Sequence, residues 1–165
     1  MTSLFDALAS QDLATFLRIV VAEDHVNETD RMGRTPLMYA VADGLMDFVT
    51  LLLEHGADVN SQDKQGWTAL HFAAQEYDRD MVSTLLQHGA KVDAQDSFGN
   101  TPLWRAVFSA EDKGGAVVEL LLSNGADKNL KNGSGISPIE LARSIGNYDV
   151  ASYIDIHPAR LDNEG

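Results

Sequence analysis

The chain has 165 residues, 44% hydrophobic and 22% charged, with 12 basic against 25 acidic side chains and a formal net charge of −13. That is apolar material for one folded unit and too little length to require two, and the charge repels nucleic-acid phosphates and anionic membrane surfaces while attracting a basic protein partner. Solubility alone would account for the same acidity. With no cysteine, disulfides and thiolate metal sites are excluded. The opening MTSLFDALASQDL has no basic stretch ahead of its apolar residues. No apolar run approaches the roughly 20 residues a membrane helix needs, so a cytoplasmic protein is expected.

In chain order, SLFDALASQDLATFLRIV reads as two short helices around Ser10, and residues 1–29 as a degenerate capping repeat. A periodic text begins at Gly33 and returns at Gly66 and Gly99, 33 residues apart, then at Gly135 after 36. It runs RTPLMYAVADG from Arg34, WTALHFAAQEY from Trp67, NTPLWRAVFSA from Asn100 and ISPIELARSIG from Ile136. A second apolar helix follows in each unit, as FVTLLLEHGADVN, MVSTLLQHGAKVD and VVELLLSNGADKN. Asn27, Asn60, Asp93 and Asn129 each stand six residues before a turn glycine, which puts the first 29 residues in step with the rest. The expected units are therefore 30–62, 63–95, 96–131 with a three-residue insertion, and a C-terminal capping repeat at 132–156. A frayed tail is expected at 157–165. The insertion falls around Ser109 to Ala116, where EDKGG predicts a lengthened loop, either a binding element or a tolerated surface insertion.

Each element of the text has a physical task. Thr35 and Thr101 suit an N-cap, with Pro36 and Pro102 at the first helical position, where a missing N–H costs nothing. Ala40, Ala73, Ala106 and Ala142 keep one position small so that neighbouring helices approach. Gly56, Gly89 and Gly125 fall where a left-handed helix terminator is expected, and a D-x-x-G segment turns the chain into the next unit. This pattern resembles the ankyrin-repeat family over nearly the whole chain. The resemblance implies an all-α solenoid of helix-turn-helix units joined by hairpin-like turns. It also implies a non-enzymatic protein-binding module, monomeric when free.

The register disposes of patterns that mimic chemistry. Ser61 and Lys64 match S-x-x-K but lie in a turn without the companion motifs of that enzyme class. Asp127, Asn129 and Gly133 faintly suggest a calcium loop, but Lys131 takes a ligand position and Pro138 stands where a bidentate Glu belongs. His55 and His88 recur near helix ends, and His71 is the H of T-P-L-H, so no metal is expected from them. Asn27 and Asn132 satisfy N-x-[ST], which matters only in a glycosylating pathway. No nucleophile with a base, phosphate-cradling loop or paired-carboxylate site is present, so neither catalytic residues nor a cofactor are expected.

In the ankyrin family the concave face, made by turn tips and the first helix of each pair, is the usual partner surface. Carried over by position, this selects Met32, Arg34, Asp43, Lys64, Trp67, Gln75, Glu76, Phe98, Asn100, Trp104 and Phe108, with Glu111 and Asp112 from the inserted loop. Trp67, Phe98 and Phe108 stand out as candidate anchors, since aromatic residues dominate interface energies; packing within the chain is the alternative use. Arg105 occupies the place of Tyr39, Phe72 and Leu141 and needs a partner if buried, either an internal acid such as Glu76, Glu119 or Glu140 or a group on the bound protein. NTPLWRAVFS and GISPIELARSIGNYDVASYI are similar to small bacterial ankyrin proteins that act as immunity partners of polymorphic toxins. That resemblance implies occlusion of a basic toxin domain, and a general adaptor for another cellular protein is the alternative.

Overall fold

The computed structural model describes residues 3–22, 25–110, 115–145 and 148–156, and for 148, 149 and 156 the backbone alone. Ten helices occur among them: α1 Leu4–Ala9, α2 Leu13–Ala22, α3 Pro36–Ala42, α4 Met46–Glu54, α5 Ala69–Glu76, α6 Arg79–Gln87, α7 Pro102–Ser109, α8 Ala116–Ser123, α9 Pro138–Ser144 and α10 Tyr148–Ile156. The described residues contain no strand. Residues 111–114, which include the expected contacts Glu111 and Asp112, lie outside the described residues, as does the 157–165 tail.

Local chemistry starts and stops the helices. The Thr35 and Thr101 hydroxyls accept from the backbone N–H of Met38 and Trp104 at 3.3 and 3.1 Å, with proline next in the chain. Ser137 and Glu140 form a reciprocal capping box at α9. At the far ends of α4 and α6, His55 Nδ1 and His88 Nδ1 each donate to a last-turn carbonyl, of Leu51 and Thr84, at 2.8 Å. Asn124 Nδ2 does the same to Leu120 at the end of α8. These side chains satisfy carbonyls that a helix end would otherwise leave open.

Helices pack in two rows. The odd-numbered helices form the first row and pack more closely on one another than the even-numbered helices of the second row. Ala40, Ala73, Ala106 and Ala142 allow this, all with no exposed surface. The side of this closely packed first row is called the inner side below. One continuous apolar core, from Leu4 and Phe16 to Ile154, fills the space between rows.

Two hydrogen-bonded ladders hold the register. At the turn tips, Lys64 N–H donates to Met32 O, Ser97 N–H to Gln65 O and Gly133 N–H to Phe98 O, at 2.7 to 2.9 Å. On the opposite side, Asn27 Nδ2 donates to Gly56 O at 3.2 Å, and its Oδ1 accepts from Asp58 N–H at 2.8 Å. Asn60 repeats both bonds one unit on, to Gly89 O and from Lys91 N–H. The unit lacking the T-P-L text is thus bonded to its neighbour as the later units are. Its outer helix differs in one respect: Leu13, Leu17 and Val21 recur four residues apart and stay exposed.

Candidate functional site

Every turn is built on one acidic or amide side chain. Oδ1 of Asp30, Asp63, Asp96 and Asn132 accepts from the backbone N–H groups two and four residues ahead, for Asp96 those of Phe98 and Asn100, both at 2.9 Å. In Asp30 and Asp96 the remaining oxygen meets the residue nine positions on, in the first-row helix. Tyr39 therefore donates its hydroxyl to Asp30 Oδ2 at 2.7 Å, and Arg105 Nη2 donates to Asp96 Oδ2 at 2.6 Å. Phe72 at the same place has no donor. There Arg34 Nε, from the preceding unit, reaches Asp63 Oδ2 at 3.4 Å instead.

Arg105 is accordingly paired inside the chain, but with Asp96 and not with Glu76, Glu119 or Glu140 as expected. The nine-residue offset seen in Asp30 and Tyr39 brings these two together, and the three glutamates are not at that offset. The Arg105 side chain is 16% exposed and that of Asp96 is fully buried. Burial pushes the Asp96 carboxyl up, but Arg105 and the Asn100 and Phe98 N–H groups outweigh it and hold the group below the usual carboxylate range. The Arg105 guanidinium lies 4.2 Å from the Trp67 ring centroid, a cation–π contact across the repeat boundary.

The position after each of the turn glycines Gly33, Gly66 and Gly99 reaches the next unit. Arg34 bonds Asp63, Trp67 underlies Arg105, and Asn100 Oδ1 accepts from Asn132 Nδ2 at 2.8 Å. Asn100, expected on the contact surface, is instead buried at 6% exposure, with its amide also donating to Asp96. It is a link between units, because the following turn covers it. Trp67 and Arg34 are half-buried for the same reason. Replacing Trp67 by alanine should lower Tm by about 4–8 °C, the equivalent of about 2 kcal/mol from lost packing, in a thermal melt of the isolated chain.

His71 is buried and neutral. Thr68 donates to Nδ1 from its backbone N–H at 3.1 Å and from its hydroxyl at 2.9 Å, which leaves Nε2–H to donate to Asn100 O at 3.0 Å. Burial is the largest cause of a pKa below the usual histidine range, opposed by the Asn100 bond. Below the ordinary value of 6.5 the unfolded chain takes up a proton that the folded chain refuses. Stability present above that pH is therefore lost as pH falls. Denaturant melts from pH 7 to 5 should show a loss of at most about 1.4 kcal/mol per pH unit, flattened in His71→Gln.

What remains on the inner side is a mixed surface. Phe98, at a turn tip, is 65% exposed, and Phe108, at the end of α7, is 58% exposed and stacks on the half-buried Trp104 at 5.5 Å and 11°. Met32, Asp43, Lys64 and Glu76 are exposed and Gln75 is half-buried. Trp104 Nε1 and Arg105 Nε are buried without a partner among the described residues. No cluster of three or more metal-ligating side chains occurs among the described residues, and no helix there is long and apolar enough to cross a membrane.

A solenoid of paired helices, tied by turn ladders and presenting exposed aromatics on the first-row side, defines a class of repeat scaffold. The sequence matches the family described as ankyrin repeats (3 copies) over residues 57–132, and that described as ankyrin repeats (many copies) over residues 22–73. Together the matches span more than half of the chain, and the protein belongs to the ankyrin-repeat family, as an all-α solenoid and a protein-protein interaction module. Among curated proteins, none matches it.

Proposed function

We propose that this protein is an acidic immunity-type inhibitor that binds a basic toxin domain across its inner face and occludes it. The observation that carries the reading is the exposure of Phe98 and Phe108 on a chain of net charge −13. Large exposed aromatics cost solubility unless a partner covers them, and such side chains anchor interfaces. A charge of this sign speeds encounter with a basic protein. The choice of a toxin as partner rests on the resemblance of the NTPLWRAVFS and GISPIELARSIGNYDVASYI segments to small bacterial ankyrin immunity proteins.

Co-expression with the product of a neighbouring gene tests it. The expected result is a product that is toxic alone and harmless with this chain. In the same assay Phe98→Ala should weaken partner binding about 30-fold, the equivalent of a 2 kcal/mol anchor, while Tm of the free chain moves by less than about 2 °C. Absence of any toxic partner that the chain neutralises would assign it to the adaptor role instead.

A further inference from the structure

Between α1 and α3, on the inner side of the first two units, the surface opens into a cavity of about 350 Å³ lined by Phe5, Leu8, Ala9, Asp30, Tyr39 and Asp43. It lies at the small end of the usual range for ligand pockets, about 300–1,000 Å³. Its walls are of two kinds. Phe5 and Tyr39 meet edge to face, with ring centroids 5.7 Å apart at 83°, and with Leu8 and Ala9 they make an apolar floor. Two carboxylates line the same recess. Asp30 touches the Tyr39 hydroxyl, and Asp43 follows one helical turn later on the same face.

The two carboxylates differ in how far their charge is already engaged. Asp30 accepts from Met32 N–H and Arg34 N–H at 2.8 Å each and from the Tyr39 hydroxyl. The Arg34 guanidinium, 6.0 Å from the Tyr39 ring centroid, already attends this hydroxyl and Asp30, so the charge left open at the recess is that of Asp43. Asp43 is exposed at the C-terminal cap of α3, and its carboxylate makes no hydrogen bond or ion pair among the described residues. A carboxylate at that end of a helix faces outward-pointing carbonyls, so its surroundings do not stabilise it and favour a cation. An apolar floor beside an open carboxylate suits a long methylene stem with a cationic head.

We infer that this cavity receives a basic side chain of the protein partner, arginine by preference, with its stem on Phe5 and Leu8 and its guanidinium on the Asp43 carboxylate at the rim. Arginine is favoured over lysine because a planar guanidinium both stacks on an aromatic face and donates in a fork to a carboxylate. The inference rests on the reading that the inner face binds a basic protein, and it adds a second anchor point at the opposite end from Phe98 and Phe108. It gives the net charge a local role: one carboxylate held ready at the edge of an apolar recess.

The test uses the full chain and no partner, so it can fail independently of the toxin reading. N-acetyl-arginine N-methylamide is titrated into the ¹⁵N-labelled protein, with N-acetyl-norleucine N-methylamide as the uncharged control. Saturable amide shifts confined to residues 5–9 and 39–43 are expected with the arginine compound and none with the norleucine compound. Asp43→Asn should weaken the arginine response at least tenfold, while Asp80→Asn, an equal charge change on the second-row helix α6, should leave it unaltered. Shifts that do not saturate, that are spread over all acidic residues, or that survive in Asp43→Asn would overturn the assignment.

Discussion

Asp96→Ala is expected to destabilise the fold by about 3–5 kcal/mol, the cost of breaking a buried ion pair by removing one member. The Asp96 side chain is fully buried and accepts from Phe98 N–H and Asn100 N–H through one oxygen and from Arg105 Nη2 through the other, with the Asn100 amide also in range. Alanine leaves the turn without its organising acceptor and strands a guanidinium that is only 16% exposed. Asp96→Asn separates the two tasks. Its single carbonyl oxygen can serve the turn or Arg105, and the amide nitrogen then faces a donor, so the variant should fall between wild type and Asp96→Ala. A cycle with Arg105→Leu should show coupling of at least about 1 kcal/mol. Chemical denaturation of the four proteins is the measurement, and additive effects would remove the ion pair from the account.

The same carboxylate sets part of the acid limit. Its folded pKa is held below the ordinary 3.8, so it contributes stability that is present above that value and is lost as pH falls through the folded pKa. The histidine effect begins earlier, near pH 6.5. Stability should therefore fall in two pH windows, and Asp96→Asn should shrink the later one, to which Asp30, also held below its ordinary value, contributes as well. Denaturant melts at a series of pH values from 7 to 3 distinguish them.

Gly99→Ala is the second large effect. Gly99 has φ +77°, a region that costs an L side chain about 1–2 kcal/mol. A Cβ there would lie 2.8 Å from Gly133 N and 3.1 Å from Asn132 Cα, both backbone atoms that cannot swing aside. To relieve the contact the turns must part, which breaks the 2.7 Å bond from Gly133 N–H to Phe98 O. The sum is roughly 2–4 kcal/mol. Gly135 supplies the control, since it has the same φ of +77° but nothing within 4 Å of its Cβ direction. Gly135→Ala should cost only the conformational part. Equal destabilisation of the two variants would show that the close approach of the turns carries no energy.

Legibility in the sequence followed the range of each rule. Helix starts at Thr35 and Thr101, the turn glycines, the histidines at helix ends and the step of Asn27 are local or fixed-offset features, and the structure shows each doing what its chemistry allows. The partner of Arg105 was written in the same way, as the nine-residue offset of Asp30 and Tyr39. It is visible only when tyrosine and arginine are compared as donors to one acceptor, not as occupants of an apolar position.

By itself the sequence determined the family, the period and the placement of the exposed aromatics Phe98 and Phe108, because a repeat imposes the same environment on equivalent positions. Tertiary structure decided the rest. Whether a residue after a turn glycine is a surface contact or a link depends on what the next unit places against it, and Asn132 buries Asn100 while Arg105 covers Trp67. Phe5 belongs to the unit without the repeating text, so only its packing against Tyr39 reveals the cavity beside Asp43. Contacts between units depend on pairs of side chains that no single position encodes.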